Sequence, residues 1–189
     1  MTEMNQAILL RRRPVGAPTA DDFEFVETAM PQPAEGQVLV RARFLSLDPY
    51  MRGRMSDAKS YSAPVALGAV MEGQTVGEVV ASRAAGFAAG DTVLGGYGWQ
   101  RYSVVAPERL RHVAPGEVPL SQNLGLLGMP GLTAWVGLQD IGMPKKGETM
   151  VVSAASGAVG QVVGQLGKII GCKVIGIAGG AAKCAFVEN

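Results

Sequence analysis

The sequence predicts an α/β chain in two parts: a β-rich first part, built as a barrel or sandwich of short hairpins, and a second part that begins a doubly wound parallel sheet. Three observations carry this. Six short apolar runs, each bounded by Gly, Pro or Asp, fill the stretch from residue 7 to residue 105. Near residue 118 the apolar spacing changes from strand-like to helix-like. A strand, a Gly/Ala-rich turn, an amphipathic helix and a second strand then follow one another from residue 149 to residue 177.

The six strand-like runs are Ala7–Leu10, Phe23–Val26, Val38–Leu47, Thr75–Val80, Thr92–Leu94 and Tyr102–Val105. Val38, Val40, Ala42 and Phe44 alternate onto one face, with Arg41 and Arg43 on the other. Gly90-Asp91 supplies a turn before Thr92. Pro119 and Pro130 fit the first turn of helices. Within Gly131 to Ile141, Leu132, Trp135, Val136 and Leu138 are spaced for one helical face. A loop with Gly142, Pro144, two lysines and Gly147 leads to the strand Thr149–Val152. The turn Ser153 to Gly160 opens a helix whose stripe is Val159, Val162, Val163, Leu166, Ile169 and Ile170, and Gly171 caps it. Lys173–Ile177 returns as a parallel strand by a right-handed crossover. Gly179-Gly180 opens a further helix from Ala181, inside which Asn189 ends the sequence.

Composition narrows the function. Apolar residues make up 48 % of 189, enough for a sizeable core. Seventeen Lys and Arg stand against 16 Asp and Glu, so no basic footprint for nucleic acid or an anionic membrane is expected. Arg11-Arg12-Arg13 reads as a solvated strand end. The 26 glycines, about twice ordinary usage, fall singly between apolar runs, as turns and bulges do. Cys172 and Cys184 lack metal-ligand spacing and read as free thiols of a reducing compartment. The opening residues carry no hydrophobic leader, and no apolar run is long enough to span a bilayer, so a cytoplasmic location is expected.

The chemistry concentrates in the turn Ala154-Ala155-Ser156-Gly157-Ala158-Val159-Gly160, which follows a strand and opens a helix as a dinucleotide fingerprint does. Gly157 would let the backbone approach a pyrophosphate, and Gly160 would let the helix pack close to the strand. The helix N-terminus, with Ala155, Ser156, Ala158 and Val159 around it, would offer N–H groups to phosphates. The strict pattern has glycine at 155, where alanine stands, so a tight connection in some other doubly wound fold also fits. NAD-preferring sites place an acid roughly 20 residues farther on. Here Ile177 to Lys183 contains none, and the first acid is Glu188. Gly179 and Gly180 leave room for a 2′-phosphate that Lys183 can pair with; the other reading of Lys183 is a solvated helix lysine.

Four segments lie in order across nearly the whole chain: Asp48-Pro49-Tyr50-Met51-Arg52-Gly53-Arg54-Met55, Gly128 to Trp135, Ala154 to Gly160 with Gly164-Gln165, and Gly171 to Gly176 followed by Ala178-Gly179-Gly180. In them the sequence resembles the zinc-free branch of the medium-chain dehydrogenase/reductase superfamily. Within that branch it resembles the prostaglandin reductase and alkenal double-bond reductase group, bacterial curcumin-reductase-like members included. The resemblance implies a GroES-like β barrel over residues 1–118, then over 119–189 the connecting helices and first β-α-β of a Rossmann domain, with the active site in the cleft between. It implies NADPH as cofactor, held at the pyrophosphate by Ala155 to Gly160 and at the 2′-phosphate by Gly179 and Lys183. Pro49 and Tyr50 would lie by the nicotinamide and substrate, and the Met129 to Ala134 loop, Met129 and Thr133 among it, would border the cofactor. It further implies a small-molecule enone or quinone substrate and a homodimer at full length. Members run to nearly twice this length, so the chain is expected to be a truncated form with little activity alone. The tyrosine usually credited with helping the enolate lies beyond Asn189.

Zinc-dependent cousins need Cys and His ligands in the first domain and a four-cysteine lobe. This sequence has no cysteine before 172, and its one histidine, His112, reads as a structural or surface residue, so no metal is expected. Without a metal Lewis acid, hydride addition to the β-carbon of an α,β-unsaturated carbonyl is easier than alcohol oxidation, because charge delocalises onto the carbonyl oxygen. Tyr50 is the candidate catalytic donor to that oxygen; the alternative is a packed core tyrosine. Tyr61, Tyr97, Trp99 and Tyr102 read as core or rim aromatics. Quinone reduction is the competing activity, and a non-catalytic nucleotide-binding or structural role is the competing class.

Overall fold

A computed structural model describes residues 3–114, 116 and 118–188; Met1, Thr2, Pro115, Glu117 and Asn189, the expected end within the last helix, lie outside the described residues. The chain divides into two units, Met1–Leu120 and Ser121–Asn189.

In the first unit β1 (Met4–Leu10) and β2 (Phe23–Ala29) pair as an antiparallel ribbon. β3 (Val38–Leu45), β4 (Thr75–Ser82), β5 (Thr92–Gly95), β6 (Tyr102–Val105) and β7 (Leu110–His112) form an antiparallel sheet in the order β6-β3-β4-β5-β7. The pairing is not all local: β6 lies beside β3, on the edge away from β5. One short helix, α1 (Tyr50–Arg54), sits in the long connection from β3 to β4. Two apolar clusters hold the unit. Val38, Val40, Val79, Val93, Tyr97 and Val105 fill the sheet. Leu10, Met51, Met55, Val65 and Met71 pack under α1, with Phe23, Tyr50 and Trp99 at their edge.

Two expectations need correction here. Phe44 does not join Val38, Val40 and Ala42 on the core face; it is exposed. The β3–β4 register shifts between Leu39 and Val40 and again between Ala42 and Phe44, and each bulge breaks the two-residue alternation. The arginine run is also more than a solvated strand end. Arg12 pairs with Asp22 at 2.7 Å, and Arg13 donates from Nη1 to the carbonyls of Val65 (2.7 Å) and Met55 (3.3 Å).

The second unit opens with a 3₁₀ turn over Leu120–Leu124, then α2 (Met129–Val136) with Pro130 in its first turn. The helix expected to run on to Ile141 changes to a π-type turn over Gly137–Gly142, closed by Met143 at a left-handed φ of 40°. Its buried face is also not the predicted one. Pro130, Gly131 and Ala134 face inward, and a Cβ on Gly131 would stand 1.7 Å from the Leu126 carbonyl oxygen. That approach on small residues turns Leu132, Trp135 and Val136 outward, so of the four predicted residues only Leu138 is buried.

β8 (Thr149–Val152) and β9 (Lys173–Gly176) pair in parallel, joined by α3 (Gly160–Ile170), and α4 (Ala181–Glu188) follows. α3 reaches the sheet through glycine as much as through its apolar stripe. A Cβ on Gly167 would meet Met150 at 2.0 Å and Val174 at 3.0 Å. Val162 is buried, whereas Val159 and Ile169 are exposed. Gly171, at φ 93°, ends the helix with its N–H on the Gly167 and Lys168 carbonyls.

Leu10 is fully buried, and Val15 is 99 % exposed. Leu10→Ala is therefore expected to cost about 2–5 kcal/mol and Val15→Ala less than about 0.5 kcal/mol in urea unfolding; equal effects would misplace the core under α1.

Candidate functional site

Ala154 leaves β8 in the left-handed region, at φ 48°, where a side chain costs about 1–2 kcal/mol. Three contacts hold this turn. Gly157 N–H donates to the Ala154 carbonyl at 2.8 Å. Ala155 N–H donates to Ile177 O at 3.0 Å, and Ile177 N–H to Val152 O at 2.8 Å, tying the turn to the end of β9. Finally, Gly160 passes so close that a Cβ on it would lie 2.3 Å from the Ala154 oxygen and 2.9 Å from the Ala155 Cα. The turn and the Gly179-Gly180 loop thus emerge side by side at the carboxyl ends of β8 and β9, the end where open α/β sheets take ligands.

Alanine at 155 fits for a visible reason. Its side chain is buried and occupies the space a Cβ on Gly176 would need, the two positions being 2.9 Å apart. The glycine missing from the turn is supplied by the neighbouring strand. Among the described residues nothing accepts a hydrogen bond from the N–H groups of Ser156, Ala158 and Val159. Ala158 and Val159 are exposed and Ser156 half-buried, so these donors at the start of α3 are open to an anion.

Gly180 takes φ 83°, and Gly179 has open space where a Cβ would stand. Lys183 lies on α4 with its side chain exposed and makes no ion pair among the described residues. Met129 and Thr133 lie on the exposed side of α2, where the Thr133 hydroxyl donates to the Met129 carbonyl at 2.7 Å. Pro49 and Tyr50 belong to the first unit, at the start of α1.

Tyr50 is half-buried against the cluster of Leu10, Met51, Met55, Val65 and Met71. Burial, reinforced by the charges of Glu72 and Asp48, holds its hydroxyl above the ordinary tyrosine range, so it stays protonated and able to donate at neutral pH. Arg54 closes the same helix. Its Nη2 donates to one Glu72 oxygen at 2.7 Å, its Nε to the other, and its Nη1 to the Ala63 carbonyl. Asp48 Oδ2 and Trp99 Nε1 are buried without a hydrogen-bond partner. Sequence reasoning missed Glu72, because a partner 18 residues away leaves no local signal.

Trp99 packs against the same cluster as Tyr50, and Tyr61 raises the proton affinity of its hydroxyl; the remaining tyrosines are placed elsewhere. Tyr97 is buried in the sheet core, its hydroxyl donating to Val93 O at 3.1 Å, and burial pushes it up to about 12. Tyr102 is buried with its hydroxyl 2.5 Å from Glu3, Trp99 packs on Phe23, and Tyr61 is exposed. His112 is exposed, stacked on Phe87 with Nε2 2.9 Å from Gly86 O. Among the described residues no three His, Cys, Asp or Glu side chains are grouped to hold a metal ion, and no helix is long and apolar enough to cross a membrane. Cys172 and Cys184 are free.

Residues 6–113 match a family described as the N-terminal domain of oxidoreductase. Over 182 residues the chain is 52 % identical to the NADPH-dependent curcumin reductase of Escherichia coli, an alignment spanning 96 % of this chain and 53 % of that protein. It is 43 % identical over 183 residues to prostaglandin reductase 1 of Bos taurus, spanning 95 % and 54 %. The crystal structure of CurA in complex with NADPH from Vibrio vulnificus matches with a TM-score of 0.90 at 53 % identity, over 97 % of this chain and 55 % of that one. The chain spans about half the length of the curated relatives it matches.

The two glycines of the site make opposite demands. Gly160→Ala forces a Cβ into backbone and should lower the melting temperature by several degrees, whereas Gly179→Ala, with free space and an ordinary φ, should leave it nearly unchanged. A harmless Gly160→Ala would show that the close approach of α3 to the turn is not required.

Proposed function

The chain belongs to the oxidoreductase family whose N-terminal domain its residues 6–113 match, in the curcumin- and prostaglandin-reductase group, and from that premise we propose that the protein reduces the C=C bond of α,β-unsaturated aldehydes and ketones with NADPH. The observation that carries the reading is the turn from Ala155 to Gly160, with open N–H groups, set beside a loop that offers space at Gly179, a free lysine at 183 and no acid from Ile177 to Lys183. In this reading residues 1–118 are a GroES-like catalytic domain and 119–189 open the dinucleotide-binding domain. The enzyme is a cytoplasmic homodimer.

NADPH supplies the hydride. The chain's own part is to bind, orient and stabilise. The N–H groups of Ser156, Ala158 and Val159, with the partial positive charge at the start of α3, suit a pyrophosphate, and Gly157 keeps side-chain bulk away from it. Lys183 suits a 2′-phosphate, which an acid in that loop would repel. Met129 and Thr133 border the cofactor, and Pro49 borders the nicotinamide. As the β-carbon is reduced, negative charge gathers on the substrate's carbonyl oxygen. Tyr50, protonated at neutral pH, donates a hydrogen bond to it and stabilises that charge where it develops.

Lys183→Ala should weaken NADPH binding by about 1–3 kcal/mol, roughly 5- to 150-fold, and leave NADH binding nearly unchanged; an equal loss for both cofactors would remove the 2′-phosphate from the reading. In a complete chain Tyr50→Phe deletes only a hydroxyl, so kcat for an alkenal should fall roughly 10²–10³-fold at an unchanged melting temperature. Lost stability with full activity would return Tyr50 to the core, and turnover of a quinone but of no alkenal would replace the substrate class.

A further inference from the structure

Tyr50 and Arg54 are the first and last residues of α1, a single turn too short to hold its own direction in water. Its orientation comes from arginine ties to distant segments. Arg52 donates to the Gly16 carbonyl at 2.9 Å and the Pro14 carbonyl at 3.0 Å. Arg13 reaches the Met55 and Val65 carbonyls, and Val65 N–H donates to Arg54 O at 2.8 Å. Most constraining is Arg54, whose guanidinium grips both Glu72 oxygens and the Ala63 carbonyl, with its side chain only 16 % exposed. A two-pronged guanidinium–carboxylate pair fixes direction as well as distance, which a lysine in the same place cannot do.

We propose that the Arg54–Glu72 pair is a positioning device for Tyr50: its grip on the last residue of α1 sets the direction of the helix and holds the first residue's ring half-buried against the apolar cluster of Leu10, Met51, Met55, Val65 and Met71. The role at the reaction rests on the donor assignment of Tyr50 above, while the placement of the ring does not. Four charged or titratable groups face the hydroxyl. Glu72, Asp48 and Tyr61 raise its proton affinity, Arg54 lowers it, and burial of the ring outweighs each of them.

That balance gives a test with opposite signs. Arg54→Lys keeps the positive charge and loses the two-pronged grip. If Arg54 acts only as a charge, Tyr50 titrates as before in Arg54→Lys and at higher pH in Arg54→Gln, where a lowering charge is gone. If the pair positions the ring, both variants release it towards water and Tyr50 titrates at lower pH, nearer an ordinary tyrosine. NMR of ring-labelled tyrosine in the chain, with Tyr50 assigned by its loss in Tyr50→Phe, reads this directly. Tyr97, buried in the other cluster with its hydroxyl pushed up to about 12 by burial, reports whether the fold survives. The expected result is a downward shift of Tyr50 in both variants with Tyr97 unmoved. An unmoved Tyr50 in Arg54→Lys, an upward shift in Arg54→Gln, or loss of the Tyr97 value would each overturn the proposal. Unchanged alkenal turnover in Tyr50→Phe would sink the donor assignment alone and leave this result standing.

Discussion

The close passage of Gly160 beneath the Ala154 carbonyl is the constraint on which the second unit depends. With no side chain at 160, α3 can begin within van der Waals reach of the turn that feeds it. The same closeness keeps Ala154 at a positive φ, a cost of about 1–2 kcal/mol that the surrounding hydrogen bonds offset. What results is a row of N–H groups facing outward at the carboxyl edge of a parallel pair of strands. A dinucleotide's phosphates need that arrangement, and a side chain at 160 would close it. Ala155 extends the logic to the neighbouring strand: its methyl occupies the room that Gly176 leaves empty. The fingerprint's first glycine has in effect moved from the turn to β9.

In the first unit Tyr50, the residue proposed as the donor, stands on a short helix outside the sheet. The sheet supplies a rigid body through its valine core, but α1 lies outside it, in the β3–β4 connection. Methionines fill the irregular space beneath the helix, as flexible thioethers can, and Arg52 and Arg54 tie its middle and its last residue. Both arginines of the Arg52-Gly53-Arg54 segment are thereby committed to carbonyls and to Glu72, so neither is free as a phosphate ligand. Lys183, by contrast, makes no ion pair among the described residues.

Much of this was legible in the sequence, where local rules decide. The six runs became strands at their predicted places, and the strand–turn–helix–strand order from Thr149 onward is the one observed. Two of the failures, in α2 and α3, share a cause, backbones approaching closely on small residues; the strand failure has another. A two-residue alternation could not foresee the bulges that expose Phe44. Helical periodicity favoured the large side chains of α2, whereas Gly131 and Ala134 set its packing and turned Leu132 and Trp135 outward. Along α3, Gly167 displaced part of the valine and isoleucine stripe from the sheet, leaving Ile169 exposed. At the candidate site the glycine spacing of the turn could be read from the sequence, because a close backbone approach such as that of Gly160 admits no side chain. Glu72 could not, since its partner Arg54 is reached only through the fold.

The central claim is that the open N–H groups before α3 and the loop after β9 together receive a dinucleotide phosphate. Amide NMR of the isotope-labelled chain, titrated with NADPH and separately with NADH, tests it most directly. Both cofactors should move the amides of Ser156, Ala158 and Val159, and only NADPH should move those of Gly179, Gly180 and Lys183. Amides that respond elsewhere while the turn stays silent, or identical responses to the two cofactors around Lys183, would contradict it.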